Sequence, residues 1–536
     1  MRGMDREGLR LFLDKLVCPR DERNRIVAIW TAVFYTMAHA FRWFNAAYNH
    51  DSLKIFQFDG SWQAYLGRFL TPVYLLFRGK IVAPFLIAMI TAVFLVVANV
   101  LIVRTLNIKW PIHVILLCAI TATCPVVTAL FSTFLSATDI HILALLFAAL
   151  VAYVLFAHKW GWTLAGFFLA CSMALYQAYA QVAVTLMLLH IMRTVLTEPE
   201  SSVVWSEGKR SALALMLGAI LYLAGFVIFV KAVYGFSLSQ LPSNGAYNSL
   251  DGMAGIRLAS LPGLVKGLYL SFFDKVVHPA ARISGLCGAA NVAVAACAFL
   301  LIFISDASAR RKIVAGLLVL VMPLGAHFVF ILSGGIVHSL MFFSFIVLYG
   351  GILMLLELKA SKAVRALVIA SLFFVVLNNI EFSNSLYLRK NLEEKATLSV
   401  MSRLLGTIES VEGYKPGETR VAFVGNLNKS LLKQDRRGYP KRILMGDFQS
   451  FSTTYFESYH DYFREVLSYP IYLLDRDSTL RFSRLEEVAT MPAFPSPGCA
   501  RMVGDVLVVR LSEDLDMKSS TDFQSSLSGD WRNQRL

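Results

Sequence analysis

Charge is what this sequence has least of. Asp, Glu, Lys and Arg make up 16% of its 536 residues, where a soluble domain carries about 25%. Cysteine is sparse as well: the seven residues include no Cys-x-x-Cys and no Cys/His spacing, which argues against a zinc site or a disulfide framework. No P-loop, dinucleotide glycine fingerprint or His-Glu-x-x-His occurs, so nucleotide-driven and zinc-hydrolase chemistry are not indicated. Residues 1–25 are polar and of mixed charge. They do not read as a cleaved secretory leader, which has a short basic start, an apolar run and a small-residue cleavage site.

Apolar residues are what is abundant, at 57%, with a mean hydropathy of +0.59. They fall in blocks near the roughly 20 residues needed to cross a bilayer as a helix. Helical spans are expected at 26–46, 83–103, 111–131, 139–158, 162–178, 180–196, 211–232, 284–305, 313–332, 339–358 and 365–381. The fold class is therefore an α-helical polytopic membrane protein of about eleven transmembrane helices. The net charge of +14 is a topology signal and no argument for nucleic acid. Arg104, Lys109, Lys159, Arg310, Arg311, Lys312, Lys359 and Lys362 lie in connections on one side, and the short connections near 132–138, 177–180 and 333–337 carry no Lys or Arg. The positive-inside rule then puts residues 1–25 in the cytoplasm. An odd number of spans puts the C-terminal region outside.

Three segments fall on the outer side. Residues 47–82 and 233–283 are long loops, and 261–273 has an apolar face suited to the interface. Residues 384–512 combine a helix-like stretch at 392–411 with strand-like runs at 420–424, 442–445 and 503–511, which reads as a small α/β domain. Residues 513–536 are rich in Ser, Asp and Arg and read as a disordered tail.

The candidate chemistry lies in the first outer loop, which contains Asn49-His50-Asp51, Asp59, Gly67-Arg68-Phe69-Leu70-Thr71-Pro72 and Arg78-Gly79-Lys80. Asp51 directly follows the first span. A partly desolvated carboxylate there suits a general base for an acceptor hydroxyl, although a polar residue also simply marks a helix end. Arg68, Arg78 and Lys80 suit a phosphate, and Arg42 lies near enough to the interface to reach one, with His39 beside it. Asp139 and His141 open the fourth span, where an ionisable residue is a functional candidate and a helix N-cap is the alternative. Tyr176 and Gln177, in an outer turn, could hold sugar hydroxyls or belong to the aromatic belt. His338 reads as interfacial and His190 as structural.

Several stretches resemble the bacterial Gtr type II glucosyltransferases, the serotype-converting enzymes of O-antigen and their relatives. They are Asp51 after the first span, Gly67-Arg68-Phe69-Leu70-x-Pro72, Pro84 opening the second span and Ala174-Leu175-Tyr176-Gln177-Ala178-Tyr179. Met491-Pro492-Ala493-Phe494-Pro495 followed by Gly504-Asp505-Val506-Leu507-Val508-Val509 completes the set. The resemblance implies a GT-C-like membrane domain and a periplasmic C-terminal domain, in the inner membrane of a bacterium. It implies transfer of a sugar, expected to be glucose, from a polyprenyl-phosphate carrier to O-antigen or another surface polysaccharide on the periplasmic face. No cofactor is required, and a divalent metal near the phosphate is compatible with the sequence without being required by it. The family often shows two acids after the first span. Here the place reads His50-Asp51, so the base role passes to Asp51, and Asp59 or Asp139 is left as a second carboxylate. Asn49, His50, His141, Tyr176 and Gln177 are candidates for the sugar or acceptor. A transporter of lipid-linked sugar and an O-antigen polymerase or ligase are the competing readings. The former would favour mid-membrane charges and repeated halves, and neither is evident in the sequence.

Overall fold

The computed structural model describes residues 21–48, 52–58, 60, 63–64, 66–235, 260–279, 286–427 and 456–514. The chain is mostly helical, with one small sheet near its C-terminal end. A helix occupies each apolar block. In order they are α1 (Glu22–Phe44), α2 (Leu70–Arg78), α3 (Pro84–Thr105), α4 (Pro111–Thr123), α5 (Pro125–Thr133), α6 (Thr138–Ala157), α7 (Gly161–Leu175) and α8 (Ala180–Thr197). There follow α9 (Ser201–Tyr234), α10 (Leu261–Val277), α11 (Leu286–Ile304), α12 (Ala309–His327), α13 (Phe343–Leu358) and α14 (Lys362–Glu409). Among the described residues, seven helical segments are long and apolar enough to cross a membrane: 84–105, 111–133, 135–157, 177–197, 201–233, 286–304 and 362–409. The chain is a membrane protein.

Local chemistry sets the boundaries. Asp21 caps α1 by accepting from the Arg23 amide at 3.0 Å. Pro84, Pro111 and Pro125 each stand at the first turn of a helix, where the missing N–H costs nothing. Pro125 also interrupts the helix within the expected span at 111–131. Cys124 before it is extended, with ψ 152°, as residues preceding proline prefer, so 111–131 becomes α4 and α5. At the far end of α13, Glu357 accepts from the amides of Lys109 and Trp110, both at 2.9 Å, and so satisfies donors at the start of α4.

The bundle packs α6 between α3 and α7, α9 against α7, and α1 against α3 and α4. A second group joins α8 to α12 and α13. The longest helix, α14, leans on α1, α4, α5 and α11. Its 48 residues extend about 72 Å, more than twice the roughly 30 Å hydrocarbon core. The second half therefore projects beyond the bundle, and the expected domain boundary at 384 falls inside it.

That projecting half carries a four-stranded sheet of order β2-β1-β4-β3, built from β1 (Arg420–Val424), β2 (Tyr472–Leu473), β3 (Ala500–Val503) and β4 (Val506–Arg510). β1 runs parallel to β2 and β4, and β3 is antiparallel to β4. The expected strands at 420–424 and within 503–511 are present, the latter as β4. The one at 442–445 lies outside the described residues. Val400, Met401, Leu404 and Ile408 of α14 bury against Val421, Phe423, Leu507 and Val509. The Met491–Pro495 motif braces this sheet: the Phe494 amide donates to the Arg510 carbonyl at 2.8 Å, and Arg510 donates to the carbonyls of Ala489 and Met491.

Candidate active site

The segment between α1 and α3 is not the plain loop that the sequence suggests, because residues 70–78 form α2. The turn that delivers it is held by glycines. Gly67 adopts φ +84°, the left-handed region that glycine enters without strain. At Gly60, with φ +67°, a Cβ would meet Thr71 Cγ2 at 2.8 Å. Phe69 anchors the start of α2 among Tyr222, Phe226 and Phe229 of α9.

Tyr74 and Arg78 are four residues apart and share one face of α2. Both reach Asp139 in the first turn of α6. Tyr74 Oη donates to Asp139 Oδ2 at 2.8 Å, and Arg78 Nη1 lies 3.6 Å from Asp139 Oδ1, with the two side chains 1% and 0% exposed. Arg78 Nη2 also donates to the Ser136 carbonyl at 3.3 Å. Burial, and then the carboxylate, hold the Tyr74 phenol above its ordinary range, so it stays protonated and donates. The capping alternative weighed for Asp139 is not what forms. α6 starts at Thr138 and has no side-chain cap, and Asp139 sits inside the helix as the buried partner of Arg78.

Two residues further, His141 Nδ1 bonds the Ala137 carbonyl at 2.7 Å. Since a carbonyl only accepts, that nitrogen carries the proton. The ring packs 4.3 Å from that of Tyr176, and the Arg68 guanidinium lies over the same tyrosine, 4.5 Å from its centroid. Arg68 pairs with no carboxylate among the described residues, and its buried Nε finds no acceptor. Gln177 fixes this arrangement from below. Its side-chain amide donates to the Leu66 carbonyl at 2.6 Å and to Tyr222 Oη at 3.1 Å, and Tyr222 donates to the Gly67 carbonyl at 3.1 Å. The Tyr-Gln motif and the Gly67-Arg68 motif are thus two halves of one cluster.

The other candidates lie elsewhere. Arg42 is buried and gives its donors to three carbonyls: Phe131 at 3.0 Å, Asn45 at 2.7 Å and Ala47 at 2.6 Å. In this structure it clamps the exit of α1 onto α5. His39 lies between the Ala122 carbonyl at 2.9 Å and Tyr387 Oη at 2.8 Å. Lys80 is exposed, in a short extended pairing where the Phe58 amide donates to its carbonyl at 3.1 Å. Asn49, His50, Asp51 and Asp59 lie outside the described residues. The neighbours of Asp51 in the chain are informative: Ser52 Oγ donates to the Thr133 carbonyl at 3.3 Å, and Leu53 is fully buried in the core beneath the C-terminal sheet. The chain next to Asp51 is therefore pinned where bundle and sheet meet. Among the described residues no group of three His, Cys, Asp or Glu side chains could hold a metal.

Sequence reasoning missed Tyr74, Tyr222 and a charged cluster on α14. In that cluster Arg389 Nε donates to Glu393 Oε1 at 2.8 Å, Lys390 is buried, and Tyr462 donates to Glu394 at 3.1 Å. The four-residue spacing of Tyr74 and Arg78 was the available signal for the first.

The family described as glucosyl transferase GtrII matches residues 40–356, a stretch that contains Arg68, Arg78, Asp139, His141, Tyr176 and Gln177. The chain belongs to the GtrII glucosyl transferase family. It is therefore a glycosyltransferase of the glucosyl-transferring kind. No curated protein and no solved structure matches it.

Proposed function

We propose that this GtrII protein moves glucose from a polyprenyl-phosphate carrier to O-antigen or another surface polysaccharide, on the periplasmic face of a bacterial inner membrane. The observation that carries the reading is Arg68: a guanidinium stacked on Tyr176, its buried Nε without an acceptor, at one end of a membrane bundle. A half-buried guanidinium in that position suits the phosphate that links the carrier to its sugar. The basic connections Arg104, Lys109, Lys159, Arg310, Arg311, Lys312, Lys359 and Lys362 support placing the opposite end in the cytoplasm, with about eleven crossings and the C-terminal sheet outside.

In the reaction, Asp51 takes the proton of an acceptor hydroxyl. The hydroxyl oxygen forms its bond to the glucose anomeric carbon as the bond from that carbon to the phosphate oxygen breaks. The electron pair stays on the polyprenyl phosphate, whose added charge Arg68 stabilises. Asp139 is held by Arg78 and Tyr74 and is assigned the positioning of α2. His141, Tyr176 and Gln177 shape the sugar side, with Asn49, His50 and Asp59 in the same loop. Lys80 stands near the surface for the carrier, and Arg42 holds the loop. The reaction requires no cofactor.

The test is transfer of labelled glucose by the purified protein in lipid discs. Polyprenyl-phosphate glucose as donor is expected to label the polysaccharide, whereas UDP-glucose is not. Labelling from UDP-glucose alone would overturn the reading.

A further inference from the structure

Arg68 lies in the turn that precedes α2. The hydrogen bonds within that segment make it compact: the Arg68 amide donates to the Gln63 carbonyl and the Gly67 amide to that of Ala64, both at 3.0 Å. They do not orient it against the bundle. α9 does. Tyr222 is 3% exposed, and its hydroxyl donates at 3.1 Å to the Gly67 carbonyl, part of the peptide that leads into Arg68. On the other side of Arg68, the Phe69 ring packs 5.9 Å from that of Tyr222 and 6.2 Å from that of Phe226. These two are four residues apart and share one face of α9. Gly225 leaves the notch that admits the ring, since a Cβ there would lie 3.0 Å from Phe69 Cζ.

A second hold comes from the turn after α7. Gln177 Nε2 commits both of its hydrogens, one to the Leu66 carbonyl at 2.6 Å and one to Tyr222 Oη at 3.1 Å. The Tyr222 hydroxyl therefore donates to one peptide of the Arg68 turn and accepts from the side chain that holds the peptide before it. Tyr176, next to Gln177 in the chain, places its ring under the guanidinium, 4.5 Å away. The two ends of residue 68, backbone and guanidinium, are thus fixed by α9 and by the Tyr-Gln turn, and Tyr222 joins these two supports. Gly67 is buried, so without the hydroxyl its carbonyl would lose its partner away from water and the turn would have to move to find another. A displacement of about 1 Å at the guanidinium is enough to spoil a charge-assisted hydrogen bond.

We propose that Tyr222 is a positioning residue for donor binding: it holds the Gly67-Arg68 turn so that the guanidinium meets the phosphate, which makes α9 a determinant of donor affinity. This rests on the reading of Arg68 as the phosphate ligand. Tyr222 acts through Arg68, so the two should not be additive. Once the guanidinium is gone, the tyrosine hydroxyl has nothing left to position.

The test measures the affinity of the full-length protein in phosphatidylcholine discs for undecaprenyl-phosphate glucose, with no acceptor present. Tyr222→Phe is expected to weaken binding about tenfold, the scale of one hydrogen bond. In an Arg68→Ala background the same change is expected to cost less than about twofold. Tyr35→Phe is the control, because it removes a matched bond from a buried tyrosine of α1 to the Ala88 carbonyl at 3.0 Å. It is expected to lower the melting midpoint as Tyr222→Phe does and to leave binding unchanged. Should Tyr222→Phe fail to fold, Gly225→Ala reaches the same turn by pressing on Phe69. Alanine favours a helix over glycine, so its loss of affinity is expected without a lower melting midpoint. Wild-type affinity in Tyr222→Phe, or in Gly225→Ala where that variant is used, would overturn the proposal. So would an equal loss with and without Arg68, or a loss matched by Tyr35→Phe. Unchanged binding in Arg68→Ala itself would instead remove the phosphate reading, and the role of Tyr222 with it.

Discussion

Tyr74 donates to the Asp139 carboxylate at 2.8 Å, and through that bond and its neighbour Arg78 the helix after the Gly67-Arg68 turn is fixed to the first turn of α6. Removing one member of a buried ion pair leaves an uncompensated charge and costs about 3–5 kcal/mol. Arg78→Met or Asp139→Leu alone should therefore lower the thermal midpoint strongly. The double substitution should recover much of the loss. Tyr74→Phe should cost about 2 kcal/mol, as for a hydrogen bond to a charged group. Melting curves of the four variants in one detergent check this.

Arg68 should behave differently. It stacks on Tyr176 and makes no ion pair among the described residues, so Arg68→Ala should change the melting midpoint little. It should raise KM for the lipid donor and lower kcat/KM by about a hundredfold, the scale of one lost charge-stabilising donor. Arg68→Lys should recover little, because an ammonium does not reproduce the planar stack. Steady-state transfer kinetics with polyprenyl-phosphate glucose give the comparison.

Leu53 ties the loop after Asp51 to the sheet. It is 0% exposed within the core that contains Val421, Phe423 and Leu507. Leu53→Ala should cost about 2–5 kcal/mol and should lower the transfer rate by more than it lowers donor binding, since the loop it holds carries Asp51, the proposed base. Separate measurement of donor affinity and turnover distinguishes the two effects.

Much of the bundle was legible because apolar blocks of bilayer length have few alternatives. Two features were not, and each has a local cause. Pro125 split a block whose hydropathy is continuous, since hydropathy averages over the proline that ends a helix. α2 was hidden because nine residues (Leu70–Arg78) are too few for a span, and the segment was read by its charges. The site was legible in part. Arg68, Tyr176 and Gln177 were found as motifs and do meet, yet the partners that fix them, Tyr74 and Tyr222, are ordinary tyrosines until the fold brings them in from distant helices. Arg42 reads in sequence as a phosphate ligand, because nothing in the chain shows that three carbonyls will surround it. The α14 cluster was missed because that helix runs unbroken from membrane to sheet, so its charged stretch looked like the start of a separate domain.

The central claim is that Asp51 is the base for glucose transfer to a polysaccharide from a carrier held at Arg68. The most direct measurement is the transfer rate of purified Asp51→Asn with saturating polyprenyl-phosphate glucose, beside its affinity for the donor. The expected result is a rate lower by about a hundredfold or more with donor affinity close to wild type. Transfer at the wild-type rate would contradict it.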